Sequence, residues 1–218
     1  MGALEYVPDR APHTPSPTGL DLGELILAAR AAISGSFSDE EASQETLHRI
    51  LLVGTSAGGA RAKAIVHLDR VTGEVRSGHT EPGGDLEPWL LKFDGVGKDM
   101  ELGTGADYSR IEYAYHLMAR AAGIAMEPCR LLEENDRAHF MTRRFDRDGN
   151  RKHHVQSLCA MQHLDYNQRG THAYEQLFLV ARQLQLGDDA HTEVFRRMAF
   201  NVMARNCDDH TKNHAFLL

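Results

Sequence analysis

Cysteine is scarce in this sequence. Its three cysteines, Cys129, Cys159 and Cys207, are odd in number and far apart, and no CxxC pair occurs. That pattern excludes a disulfide framework and a zinc knuckle, and isolated thiols fit a reducing compartment. Long hydrophobic runs are missing too: nothing approaches the ~18 apolar residues of a membrane span. No basic segment followed by an apolar run opens the chain, so no signal peptide is read and a cytoplasmic location is expected. Positive charge is also short. The net charge is −7, whereas neutralising phosphates takes clustered lysine and arginine, so direct, tight nucleic-acid binding is a poor default. There are thirteen histidines. No H-x3-H pair sits beside a carboxylate on a credible helix, so His153, His154, His163, His172 and His191 read as surface or core histidines. What is left, 42% hydrophobic and 25% charged over 218 residues, is an ordinary globular composition. It is large enough for one large domain or a two-lobed one with its own core.

Prolines 8, 12, 15 and 17 make the first 19 residues read as an extended linker. From Asp21 to Ile33, Leu22, Leu25, Ile26, Ala29 and Ile33 fall at helical spacing and Gly35 follows as a stop. Residues 36–46 are polar. The period then changes. Arg49–Val53 is a short apolar run, a glycine-rich stretch follows, and Ala62–Leu68 reads as a strand. Residues 69–87 are turn-rich and Trp89–Phe93 is a further strand. Residues 107–122 form the clearest helix, with Ile111, Ala114, Tyr115, Met118 and Ala122 on one face and Gly123 as its C-terminal cap. Strands are expected over Cys129–Glu133 and His139–Phe145, and Asp148-Gly149-Asn150 has the composition of a hairpin turn. From residue 172 onward the pattern is helical. Tyr174, Leu177, Phe178, Ala181 and Leu184 make one stripe. Val194, Phe195, Met198, Val202 and Met203 make another, which is read as core. A strand-rich half followed by a helical half predicts an α+β protein of two lobes with a cleft between them.

The chemistry-bearing residues are spread along this frame. Near the carboxyl end, Asp208 and Asn213 have the D-x-x-x-x-N spacing of a kinase catalytic loop. There the aspartate takes or orients the proton of the attacking hydroxyl, and the asparagine comes back round the loop to ligate Mg²⁺. His210 would be a structural residue of that loop, and Lys212 would steady the γ-phosphate. The loop Gly54–Lys63, GTSAGGARAK, could bring backbone N–H groups to phosphate oxygens. It matches neither the P-loop nor the Rossmann pattern. Lys92 lies in a mostly apolar strand, where an unpaired ammonium is costly, and Glu112 on the helix could reach it. None of these is decisive alone, but their order along the chain is that of a kinase-type phosphotransferase.

Taken together, the segments resemble HipA-family toxin Ser/Thr protein kinases. GTSAGGARAKA is similar to that family's glycine-rich loop, WLLKF to its lysine-bearing strand, IEYAYHLMARAAGI to its N-lobe helix, FMTRRFDR to its hinge and NVMARNCDDHTKNHAFL to its catalytic loop. The opening MGALEY resembles the segment after the family's front subdomain. The resemblance implies a protein-kinase-like two-lobed fold with a strand-rich N-lobe and a truncated helical C-lobe. Residues 1–46 would lead in from an absent front subdomain, 47–147 would form the N-lobe and 148–218 the start of the C-lobe. It implies ATP and Mg²⁺ as cofactors, Asp208 as catalytic base with Lys212 beside it, and Asn213 as a metal ligand. Lys92, supported by Glu112, would hold the α- and β-phosphates. Ser56, Gly58, Gly59 and Lys63 would form the loop over the nucleotide, with Gln156 and His210 near it. Adenine would sit at the hinge Arg143–Phe145. Ser56 would be the site of autophosphorylation, with Thr55 a second hydroxyl. A protein substrate, by family an aminoacyl-tRNA synthetase, and a HipB-like antitoxin are the implied partners, with DNA reached only through the antitoxin and no membrane involved. Two positions depart from the pattern: Ala62 stands for the loop proline and Arg143 for the hinge glutamate. The second metal-binding aspartate is expected beyond Leu218, so residues 1–218 are expected to be a fragment with little or no activity. A small-molecule phosphotransferase remains an alternative, disfavoured by Asn206 where histidine is usual. So does a non-catalytic kinase-like scaffold that binds an antitoxin.

Overall fold

The computed structural model describes residues 61–78, 84–97, 108–134, 137–168 and 170–217. The expected linker, the helix at 21–33, the strand at 49–53 and the loop residues Thr55, Ser56, Gly58 and Gly59 lie outside them. The chain divides into two compact units. One contains described residues from 61–116 and 127–151, the other those from 117–126 and 152–217.

The first unit is built on a five-stranded antiparallel sheet in the order β2-β1-β3-β5-β4. The strands are β1 (Arg61–Asp69), β2 (Val75–Ser77), β3 (Leu86–Gly97), β4 (Cys129–Glu134) and β5 (Arg137–Arg143). Strand periodicity sorts its two faces. Ala64, Val66 and Leu68 of β1, Trp89, Leu91 and Phe93 of β3, and Met141 of β5 point to one side and bury there with Val75. Ala64 opposes Leu91 and Val66 opposes Trp89 across the β1–β3 ladder. The intervening residues Lys63 and Lys92, which oppose each other, therefore fall on the other face.

The turn-rich reading of 69–87 needs one correction: it contains β2, which three residues of apolar-polar alternation were too short to announce. Asp69 closes the β1–β2 turn by accepting the N–H groups of Val71 and Thr72. These backbone bonds, the largest cause, hold its carboxyl below the usual range against a small opposing push from burial. At the end of β2, a Cβ built on Gly78 would stand 2.5 Å from the Ile65 carbonyl oxygen, to which Gly78 N–H donates. Gly78→Ala must push β1 aside. The expected loss is about 1–3 kcal/mol, read as a Tm lower by several degrees in thermal denaturation.

Helix α1 (Tyr108–Ala121) lies within a residue of its expected span, and Gly123 takes φ +78° just beyond it, as a C-terminal cap requires. Its buried face is not the expected one. Ser109, His116 and Ala119 are buried, whereas Ile111, Ala114, Met118 and Ala122 are exposed.

A two-residue pair, β6 (Arg147–Asp148) and β7 (Arg151–Lys152), flanks the expected hairpin turn, where Gly149 has φ +55°. The second unit then adds β8 (Val155–Ser157), α2 (Leu158–Met161), α3 (Tyr174–Gln183), α4 (Asp188–Met203) and β9 (Ala215–Leu217). Strands β8 and β9 pair antiparallel, an element the helical reading after residue 172 did not contain. Leu158, Leu177 and Val180 form the core, with Tyr174, Leu184, Val194 and Phe216 packed on it. The α3 stripe supplies this core through Tyr174, Leu177 and Leu184. The α4 stripe is core only through Val194. Phe195, Val202 and Met203 are exposed; Phe195, next to Val194, points about 100° away from it round the helix.

Candidate functional site

In the sheet unit, Lys92 is answered by the helix. Its Nζ donates to Glu112 Oε2 at 2.7 Å, with both side chains about a quarter to a third exposed (26% and 31%). Because β3 is a central strand, Lys92 is flanked by Lys63 on one side and Phe140 on the other. Its ammonium lies 5.5 Å from the Phe140 ring centroid. Phe140 gives the ammonium an apolar floor, and Glu112 is the carboxylate that pairs with it.

The hinge segment runs on from β5. Arg143 N–H donates to the Pro128 carbonyl and Arg144 N–H to the Pro88 carbonyl, which leaves Phe145, half exposed, as the next residue able to offer its backbone N–H. Arg143, at the position where glutamate is usual, is held by Glu127 at 2.7 Å, with Glu87 at 3.9 Å. Its guanidinium lies between these two acids. Beyond it, buried Asp146 accepts from Arg144 Nε and Nη2 and from Arg147 Nη1. Burial alone would raise this carboxyl, but the Arg144 bonds and the two guanidinium charges hold it below its usual value.

In the second unit the expected catalytic loop closes on itself. Asn213 Nδ2 donates to the Asp208 carbonyl at 2.7 Å and lies 3.3 Å from Asp208 Oδ2. Asn213 N–H donates to the His210 carbonyl. Asp208 is 84% exposed, with His210 Nε2 3.3 Å from its Oδ1. Lys212 places Nζ 4.7 Å from the Tyr166 ring centroid, and the same ring tilts against His210. Gln156 sits in the middle of β8 opposite Phe216. A cavity of about 640 Å³ opens beside the loop, lined by Tyr166, His172, Tyr174, Asp208, Asp209 and Thr211 among others. The spacing argument thus brings Asp208, His210, Lys212 and Asn213 together in one unit, and Lys63, Lys92 and Glu112 on one sheet face in the other. Sequence reasoning missed Tyr166, Tyr174 and Asp209. Tyr174 looked like a stripe residue, and Asp209 was visible only as the second acid of a pair.

A family model for the HipA-like C-terminal domain matches residues 55–218. The chain belongs to that family. Its HipA-like fold has a counterpart in a solved complex of the Shewanella oneidensis MR-1 toxin–antitoxin system, HipA, HipB and operator DNA. The TM-score is 0.54 and the identity 15%, over 75% of this chain and 40% of that one. The chain therefore spans less than half of the HipA-type chain that it matches. No curated protein matches the sequence.

Among the described residues no group of three or more His, Cys, Asp or Glu could hold an ion. Asn213, with its amide nitrogen committed to Asp208, keeps Oδ1 as a hard oxygen ligand of the type Mg²⁺ takes. Among the described residues no helix is long and apolar enough to cross a membrane.

Proposed function

We propose that this chain carries the ATP-binding and catalytic-loop parts of a HipA-type Ser/Thr protein kinase, with a kinase-like two-lobed architecture over residues 47–147 and 148–218. The observation that carries the proposal is the Lys92–Glu112 ion pair at 2.7 Å. A strand lysine paired to a helix glutamate is the arrangement by which kinases hold the phosphates of ATP.

In this reading Lys92 neutralises the α- and β-phosphates, and the loop of Ser56, Gly58, Gly59 and Lys63 covers them. The Arg143 carbonyl and Phe145 N–H receive adenine, with Gln156 and His210 beside the nucleotide. Asn213 Oδ1 would hold the metal, whose positive charge would offset that of the phosphates. Asp208 takes the proton from a Ser or Thr hydroxyl as that oxygen attacks the γ-phosphorus, the bond from the γ-phosphorus to the β-phosphate oxygen breaks and ADP leaves, and Lys212 steadies the transferred group. Ser56 is the residue for self-phosphorylation. Likeness to the solved complex supports a HipB-like antitoxin as partner, with DNA contacted through it, and the family resemblance supports an aminoacyl-tRNA synthetase as the substrate class.

Calorimetric titration with ATP and Mg²⁺ tests the reading. Wild type is expected to bind, and Lys92→Met to weaken binding at least about tenfold, the equivalent of one charge-assisted bond of ~1.5–3 kcal/mol, with the fold retained by circular dichroism. Absence of binding by wild type would overturn the proposal. Binding without transfer of the γ-phosphate, in a chain extended past codon 218 where the reading frame continues, would favour the scaffold.

A further inference from the structure

Asp208 lies in a loop without regular structure and its side chain is 84% exposed. Packing does not hold it, yet a base that accepts a proton in the transition state must be placed to within a fraction of an ångström. The positions of its neighbours show what does the holding.

Asp208 N–H donates to Asn206 Oδ1 at 3.1 Å. The Asn206 amide donates to Asn201 Oδ1 at 3.2 Å. The Asn201 amide in turn donates to the Tyr174 hydroxyl at 2.8 Å. Tyr174 O–H donates to Asp209 Oδ2 at 2.5 Å. Every bond runs in the same sense, and the chain of donors ends on a carboxylate one residue from where it began. It is a closed circuit around the 208–209 peptide, anchored on α3 at Tyr174 and on α4 at Asn201. Bonds aligned head to tail polarise one another. His214 Nε2 caps the other oxygen of Asp209 at 2.8 Å, so both carboxylate oxygens have partners. Burial, then the bond to Asp209, push the Tyr174 hydroxyl up to about 12, so it keeps its proton and remains a donor at physiological pH.

We infer that Tyr174 is the positioning residue of the site: through Asp209 on one side and Asn201–Asn206 on the other it fixes the peptide that carries Asp208. The inference rests on the phosphotransfer reading for its catalytic consequence, but not for its structural one.

Tyr174→Phe deletes one oxygen and keeps the ring that packs on the Leu177 core. Amide hydrogen exchange of the Asp208 N–H, followed by NMR in the full chain, reads the circuit directly. We expect it to accelerate about tenfold, the equivalent of one net hydrogen bond, while the amide of Ala204, which caps α4 by donating to the Phe200 carbonyl, is unchanged. Asp209→Asn, which keeps an acceptor for Tyr174, should retain most of the protection that Asp209→Ala loses. In a transfer assay kcat should fall at least about tenfold with KM for ATP nearly constant, as expected when only transition-state placement is lost. Unchanged Asp208 exchange in Tyr174→Phe overturns the inference. So does acceleration shared by Ala204, which marks a merely stabilising role, and so does a faster amide with unaltered kcat. If Asp208→Asn leaves transfer intact, the kinase reading falls instead, and the exchange result still decides whether the circuit exists.

Discussion

Asp208→Asn is expected to reduce γ-phosphate transfer to a protein hydroxyl by about 10²–10⁴-fold, the range of a lost general base, with the melting temperature nearly unchanged. Both halves follow from the loop. The side chain is 84% exposed, so no core packing depends on it. The bond from the Asn213 amide to the Asp208 carbonyl involves the backbone and survives the substitution. The amide that replaces the carboxylate has almost the same shape but cannot accept the hydroxyl proton. A radiolabelled transfer assay beside a thermal melt separates the outcomes, using a chain extended past codon 218 where the frame continues. Undiminished transfer removes Asp208 from the mechanism, and a collapsed melt reassigns it to folding.

The largest stability effect is expected elsewhere, at Phe93→Ala. Phe93 is 1% exposed and sits in β3 among Leu91, Trp89 and Met141, with the His139 ring edge-on to it. Deleting the ring removes buried apolar area and leaves a cavity that a five-stranded sheet cannot close, at a cost of about 3–5 kcal/mol. Set against a typical domain stability of about 5–15 kcal/mol, that is enough to unfold much of the population. Urea denaturation measures it, with Met203→Ser, at an 84% exposed position, as a control expected to shift stability by no more than about 0.5 kcal/mol. Equal effects at both positions would mean that the sheet core is assigned to the wrong face.

The sheet was legible because its strands write their faces into a two-residue period. Ala64, Val66 and Leu68 alternate with residues of the other face, and so do Trp89, Leu91 and Phe93. Helices α1 and α4 were legible as helices but not in orientation. Hydrophobicity pointed to Ile111 and Met118, whereas α1 buries Ser109, His116 and Ala119, small and polar residues that no apolar stripe reveals. The β8–β9 pair was invisible because three-residue strands separated by the whole helical segment carry no local pattern. At the site, the D-x-x-x-x-N spacing singled out Asp208 and Asn213, and an apolar strand context singled out Lys92, with Glu112 on a helix that could reach it. Tyr174 could not be found that way. Its partners Asn201 and Asp209 lie on other elements, and only folding brings them to its hydroxyl.

The pairing of β8 with β9 has a bearing on how the protein is made. Val155 faces Leu217 and Ser157 faces Ala215, so the strand that locks the far end of the loop comes after the loop in the chain. Until residues 215–217 have been made, the nascent polypeptide has α3 and α4 but lacks this strand pair. Long-range strand pairing of this kind is a late event in folding. Pairing of β8 is thereby delayed until synthesis has passed Leu217, some sixty residues after Val155 itself is made.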